Sequence, residues 1–177
     1  MIAKNIKNEI KEHFFINPSQ KLRVRQIERL LSLPLPSVIR YCKELETEKI
    51  LERVQIGNVV FYTGNRNSDA FLLEKKLFNI KQAYSSGLIS YLKRELSNPG
   101  IILFGSYAKG EDREESDIDL YIETPSKKTL NLEKFERILS RKIEVFRFKA
   151  ISDIKNKHLA NNILNGITLS GFARVFE

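Results

Sequence analysis

The sequence predicts an α+β chain in two parts: three helices and a β-hairpin first, then a small domain in which helices flank a mixed sheet. Three observations predict it. Apolar residues recur at helical spacing from Ile2 to Leu45. Two β-prone runs then flank Gly57-Asn58, a dipeptide suited to a hairpin turn. Further on, apolar runs at 101–104 and 118–122 enclose a Gly-Ser step and an acidic loop, the pattern of strand, turn and strand.

In order along the chain, Ile2, Ile6, Ile10 and Phe14 draw one stripe on a helix over 2–15, and Asn17-Pro18-Ser19 stops it. A second helix is expected over 24–31, with Val24, Ile27, Leu30 and Leu31 inward and Arg23, Arg25 and Arg29 outward. Pro34 and Pro36 bracket a tight turn. The third helix starts near Ser37, and Val38, Cys42 and Leu45 form its buried seam. Strands follow at 50–56 and 59–62. Helix, helix, turn, helix, hairpin is the order of a winged helix.

The polar stretch Asn65–Asp69 sets a boundary between residues 1–66 and residues 67–177, with Ser68 as a helix N-cap. A helical lead-in over 69–97 keeps Leu73, Leu77, Ile80, Tyr84, Leu88 and Leu92 at helical spacing, broken or kinked at Ser85-Ser86-Gly87. Strands are expected at 101–104, 117–123 and 142–148. Between the last two, Leu132, Phe135, Ile138 and Leu139 mark a helix. A final helix over 153–165, capped by Gly166, leads to an extended segment at 167–172.

Composition narrows the function. A hydrophobic content of 42% with 29% charged residues is ordinary for a globular chain, so disorder is not expected. No apolar run spans a bilayer and the N-terminus carries no secretory signal, so the expected location is the cytoplasm, with no membrane partner. A single cysteine, Cys42, forms no intramolecular disulfide and no zinc site. The net charge is +8. Residues 1–66 hold 12 Lys and Arg against 7 acidic residues, net +5, which suits a phosphate-backbone partner such as duplex DNA.

The segment 111–119 runs against that charge, with six acidic residues and one arginine. Such repulsion is costly unless a cation is expected. Asp117 and Asp119, two apart on a strand, point to one side, about 6.5 to 7 Å apart. Gly105-Ser106 lets backbone amides approach a ligand where a helix begins, a natural place for phosphate. Metal with phosphate suggests a metal-bound nucleoside triphosphate.

Gly-Ser, ten residues, then Asp-x-Asp between apolar residues resembles the signature of the DNA polymerase beta-like nucleotidyltransferase superfamily, especially its minimal members. The resemblance covers about residue 71 onward. It implies that Gly105 and Ser106 hold the triphosphate and that Asp117 and Asp119 bind two magnesium ions. It implies that Glu144, the acidic residue on the next strand, ligates the second ion or takes the proton from the nucleophile. Relatives more often place Asp there, and a surface glutamate paired with Arg141 or Lys142 is the competing reading. Lys109 and Arg113 are candidates to balance phosphate charge. The implied reaction is transfer of a nucleoside monophosphate, with ATP the expected donor, to a hydroxyl acceptor. The residues do not choose among a small molecule, a nucleic acid and a protein. Stand-alone minimal members resemble antitoxins that adenylylate a partner toxin, so a protein acceptor is one option.

The stretches 24–31 and 37–45 also resemble winged helix-turn-helix regulators. That resemblance puts Ser37, Ile39, Arg40 and Lys43 at the DNA-facing positions of the third helix. Lys49 departs from it, since relatives place glycine there, and a differently built connection is expected. A homodimer would place two third helices on a palindromic site; the Leu73 to Leu92 stripe is a surface for such pairing or, as the competing reading, for packing against the sheet of its own domain. A regulator with a nucleotide-sensing or inactive nucleotidyltransferase domain is the alternative function.

Overall fold

The computed structural model describes residues 5–173 and divides the chain into two compact units, Met1–Phe78 and Asn79–Glu177. Ile2, the first residue of the expected apolar stripe, lies outside the described residues.

The first unit begins with α1 (Ile6–Ile16), capped where the Asn5 side chain accepts from the Asn8 amide at 3.1 Å. Helices α2 (Val24–Leu31) and α3 (Leu35–Thr47) follow, then strands β1 (Leu51–Ile56) and β2 (Val59–Gly64) in an antiparallel pair. Ile10, Phe14, Ile27, Val38, Cys42, Leu45 and Phe71 are fully buried and make the core. The hairpin closes at Ile56 opposite Val59, with Gly57 in the left-handed region at φ +59°.

Three expectations change here. Leu30 is 54% exposed, outside the inner face expected of it, because Leu33 rather than Leu30 reaches the core after the helix ends at the left-handed Ser32. Pro36 lies inside the first turn of α3, where a missing N–H costs nothing, so the two prolines do not bracket a turn. Lys49 adopts the left-handed conformation itself, at φ +59°, so the connection uses the backbone that glycine would use.

Helix α4 (Asp69–Ser85) follows Ser68, whose carbonyl accepts from the Leu72 amide at 3.0 Å. The division between the units falls within this helix. Gly87, at φ +83°, separates it from α5 (Leu88–Glu95). The expected single stripe is not one face: Leu88 and Leu92 are buried, whereas Leu73, Leu77 and Tyr84 are exposed.

The second unit is built on a four-stranded mixed sheet. Its strands are β3 (Gly100–Phe104), β4 (Ile118–Glu123), β5 (Ile143–Phe148) and β6 (Ile167–Ser170), in the order β5-β4-β3-β6. β3 pairs antiparallel with β4 and with β6, and β4 pairs parallel with β5. The parallel pair needs a crossover, supplied by α7 (Glu133–Leu139). The main core includes Leu88, Leu92, Leu103, Leu120, Phe135 and Leu139. A second cluster gathers Ile102, Phe104, Tyr121 and Ile163, the last from α8 (Lys157–Leu164).

The last helix starts at Lys157, after a 3-10 turn at Ile151–Asp153, because Asn156 caps it through the His158 and Leu159 amides. Its C-cap is Asn165, and Gly166 is not at positive φ. Glycine is required at 166 for space: a Cβ there would meet Ile102 Cγ2 and the Leu103 carbonyl at 2.6 Å. Ile138, expected on the inner face of α7, is 50% exposed. Among the described residues no helix is long and apolar enough to cross a membrane.

Candidate active site

The apolar run 101–104 is buried in the sheet and delivers the chain to Phe104 in extended conformation. At Gly105 the backbone turns to φ +74° and enters α6 (Gly105–Lys109), which ends at Gly110 with φ +77°. Tyr107 and Ala108 are buried and seat this short helix on the core, leaving Ser106 half-buried and Lys109 exposed.

Phe104 stands opposite Asp119 of β4, and Asp119 stands opposite Glu144 of β5. The turn therefore lies against the carboxylate. A Cβ built on Gly105 would run into Asp119 Oδ2, so this position demands glycine on two grounds, its φ and its neighbour. Asp117 sits one residue before β4 begins, and both it and Glu144 are exposed, whereas Asp119 is half-buried.

Burial pushes the Asp119 carboxyl up to about 6, and the negative charges of Glu144 and then Asp117 add to the shift. Three carboxylates thus feel one another, the electrostatic condition that a cation relieves. Among the described residues no three His, Cys, Asp or Glu side chains already converge on a metal position. The donor set, all carboxylate oxygens, nevertheless fits a hard divalent ion, and the exposed Asp117 and Glu144 have room to change rotamer around Asp119. An open cleft of about 870 Å³ borders the site at Asp117, between the 114–117 loop and the Glu133, Arg137 and Lys142 side.

Arg141 is engaged elsewhere than at Glu144: its Nη2 lies 3.7 Å from Asp112 Oδ2. Asp112 is itself 1% exposed. One of the six acids counted in the cation-seeking loop therefore faces inward. Its partner Asn79 was not singled out in the sequence, although the signal was a polar residue between Phe78 and Ile80 on a helical apolar pattern.

In the first unit, Ile39, Arg40 and Lys43 are exposed on α3 and Ser37 is half-buried. The Arg40 guanidinium lies 4.4 Å from the Tyr41 ring centroid, with its Nε 3.8 Å from Glu44.

A left-handed turn at Gly105 thus abuts the Asp119 carboxylate, which also feels the charges of Glu144 and Asp117. Residues 85–167 match a protein-family model described as a nucleotidyltransferase domain, which is consistent with the polymerase beta-like superfamily. Over that segment the chain is similar to nucleotidyltransferase domains, a likeness that supports nucleotidyl transfer as its general chemistry. No curated protein and no solved structure matches the chain.

Proposed function

We propose that this chain transfers a nucleoside monophosphate from a nucleoside triphosphate, ATP in the first instance, to a hydroxyl acceptor. The observation that carries the reading is the seating of Gly105 against Asp119, with Glu144 directly across the strand pair. Gly105 and Ser106 would hold the phosphates through backbone amides and the Ser106 hydroxyl, with Lys109 balancing charge at the end of α6. Asp117, Asp119 and Glu144 would hold two magnesium ions, which when bound neutralise phosphate charge and lower the pKa of the attacking hydroxyl. Glu144, exposed on β5, would take the hydroxyl proton as the oxygen attacks the α-phosphorus and pyrophosphate leaves.

The first unit adds an address. Its helix order, its net +5 over residues 1–66, and the exposed Ile39, Arg40 and Lys43 support a DNA-binding winged helix, with Ser37 at the rim. A regulator that only senses nucleotide rests on the same α3 surface and is the competing reading.

The deciding experiment incubates the full chain with magnesium and α-labelled ATP, alone and with cell extract. Label should move to an acceptor, a protein one appearing as a labelled band, and Asp119→Asn should abolish it. A parent that labels nothing with any nucleotide or extract overturns the enzyme in favour of the regulator.

A further inference from the structure

Helix α6 has five residues, too few to hold its own position, so the accuracy of the turn at Gly105 depends on what fastens the helix. Its carbonyl at Tyr107 accepts from Asn79 Nδ2 at 2.9 Å. The same amide nitrogen donates to Asp112 Oδ1 at 2.8 Å, and Asp112 Oδ2 lies 3.7 Å from Arg141 Nη2. Asn79, Asp112 and Arg141 are 2%, 1% and 8% exposed, which makes this a buried polar network within the second unit.

Burying an amide, a carboxylate and a guanidinium is costly, and apolar side chains of similar volume would stabilise a core at least as well. What such a network supplies is geometry. One branch grips the helix that starts at Gly105-Ser106. The other ends on Arg141, which immediately precedes Lys142, whose carbonyl accepts from the Ile118 amide at 2.8 Å as β4 begins. Arg141 is also three residues ahead of Glu144. Both sides of the site are thereby tied to one amide on α4.

We propose that Asn79 is a positioning residue for triphosphate binding, acting through Asp112 and Arg141 to set α6 against the carboxylates. The inference rests on the reading of the site given under Proposed function. It extends the working unit beyond the matched segment, because Asn79 lies outside residues 85–167.

The test is calorimetric titration of the full chain with magnesium ATP, together with thermal melts, on the parent and three variants. Asn79→Ala deletes both donations, and Asn79→Asp replaces the amide with an isosteric acceptor facing Asp112. Leu92→Ala removes a fully buried core side chain of the same unit and serves as the stability control. At a temperature where all are folded, both Asn79 variants should lose about tenfold or more in affinity, since small displacements of a binding group are expensive. Leu92→Ala should stay within about twofold of the parent despite a comparable fall in Tm. Asn79→Ala keeps the question open to refutation should Asn79→Asp fail to fold. Parent-like affinity in a folded Asn79 variant overturns the inference alone. Loss of affinity in Leu92→Ala equal to that in the Asn79 variants also overturns it, by reducing the role to stability. A parent that binds no magnesium ATP overturns the site reading and this inference with it.

Discussion

Asp119 on β4 and Glu144 on β5 are register partners in a parallel strand pair, so two carboxylates far apart in sequence face one another across neighbouring strands. Burial, with the repulsion of Glu144 added, holds the Asp119 carboxyl up at about 6.

A stability test follows from that shift. Unfolded aspartate titrates near 3.8, so the folded state holds this proton over a range in which the unfolded state has lost it. Stability should therefore fall as pH rises from about 4 to about 6 and level off above. In chelator, Asp119→Asn should be more stable than the parent by about 1 kcal/mol at pH 7.5, a figure discounted for the half-exposed side chain. The gap should narrow toward pH 4.5. Urea titrations at both pH values check it, and a variant less stable than the parent at pH 7.5 contradicts the repulsion.

Gly105 and Gly57 offer a matched comparison. Both have positive φ, but a Cβ at Gly57 meets nothing within 4 Å, while one at Gly105 collides with Asp119. Gly57→Ala should cost about 1 kcal/mol, the backbone penalty alone. Gly105→Ala should cost about 2 kcal/mol or more and remove magnesium ATP binding. Melts and calorimetry on the two variants distinguish the terms, and equal behaviour would show that the turn is not pressed against the carboxylate.

Lys49→Gly should stabilise the first unit by about 0.5 to 1 kcal/mol, because the native backbone at this residue is left-handed and glycine enters that region without strain. A chemical melt that reports the first unit would show it. No gain would mean that the exposed lysine makes up for the strain through contacts of its own.

On α3, Glu44 sits beside Arg40 and also lies 3.4 Å from Lys7. If Arg40 meets DNA, Glu44→Ala should tighten binding by removing a competing carboxylate, and Lys43→Ala should reduce the magnitude of the slope of log affinity against log salt by about one. Fluorescence anisotropy with a duplex at several salt concentrations reads both. Salt-insensitive or absent binding at low ionic strength would leave α3 without a DNA role.

Periodicity made α2 and the Gly57-Asn58 hairpin legible, since each depends on neighbours within one element. The side of a helix that meets the core is a tertiary matter. The Leu73, Leu77 and Tyr84 stripe was visible as a face, but nothing in its spacing said that it would be exposed. The site behaved likewise. Gly105, Asp117 and Asp119 sit in one segment and could be read from it, whereas the opposition of Glu144 to Asp119 depends on β4 and β5 becoming parallel neighbours. Asp112 counts in the sequence as one of six acids in a loop that calls for a cation, because its partners, Asn79 and Arg141, come from distant helices and turns.

The sheet order has a consequence for how the molecule assembles. β3 lies between β4, which follows it after one short helix and a loop, and β6, which returns from far along the chain to pair Ile101 with Ser170. Closing a short loop sacrifices less chain freedom than closing a long one, so the β3–β4 pairing should form first and β6 should zip on last. The turn at Gly105 and the carboxylate of Asp119 belong to that early hairpin. The candidate site would then sit in the folding nucleus, and slowing substitutions should cluster around Leu103 and Leu120 while those in β6 chiefly hasten unfolding.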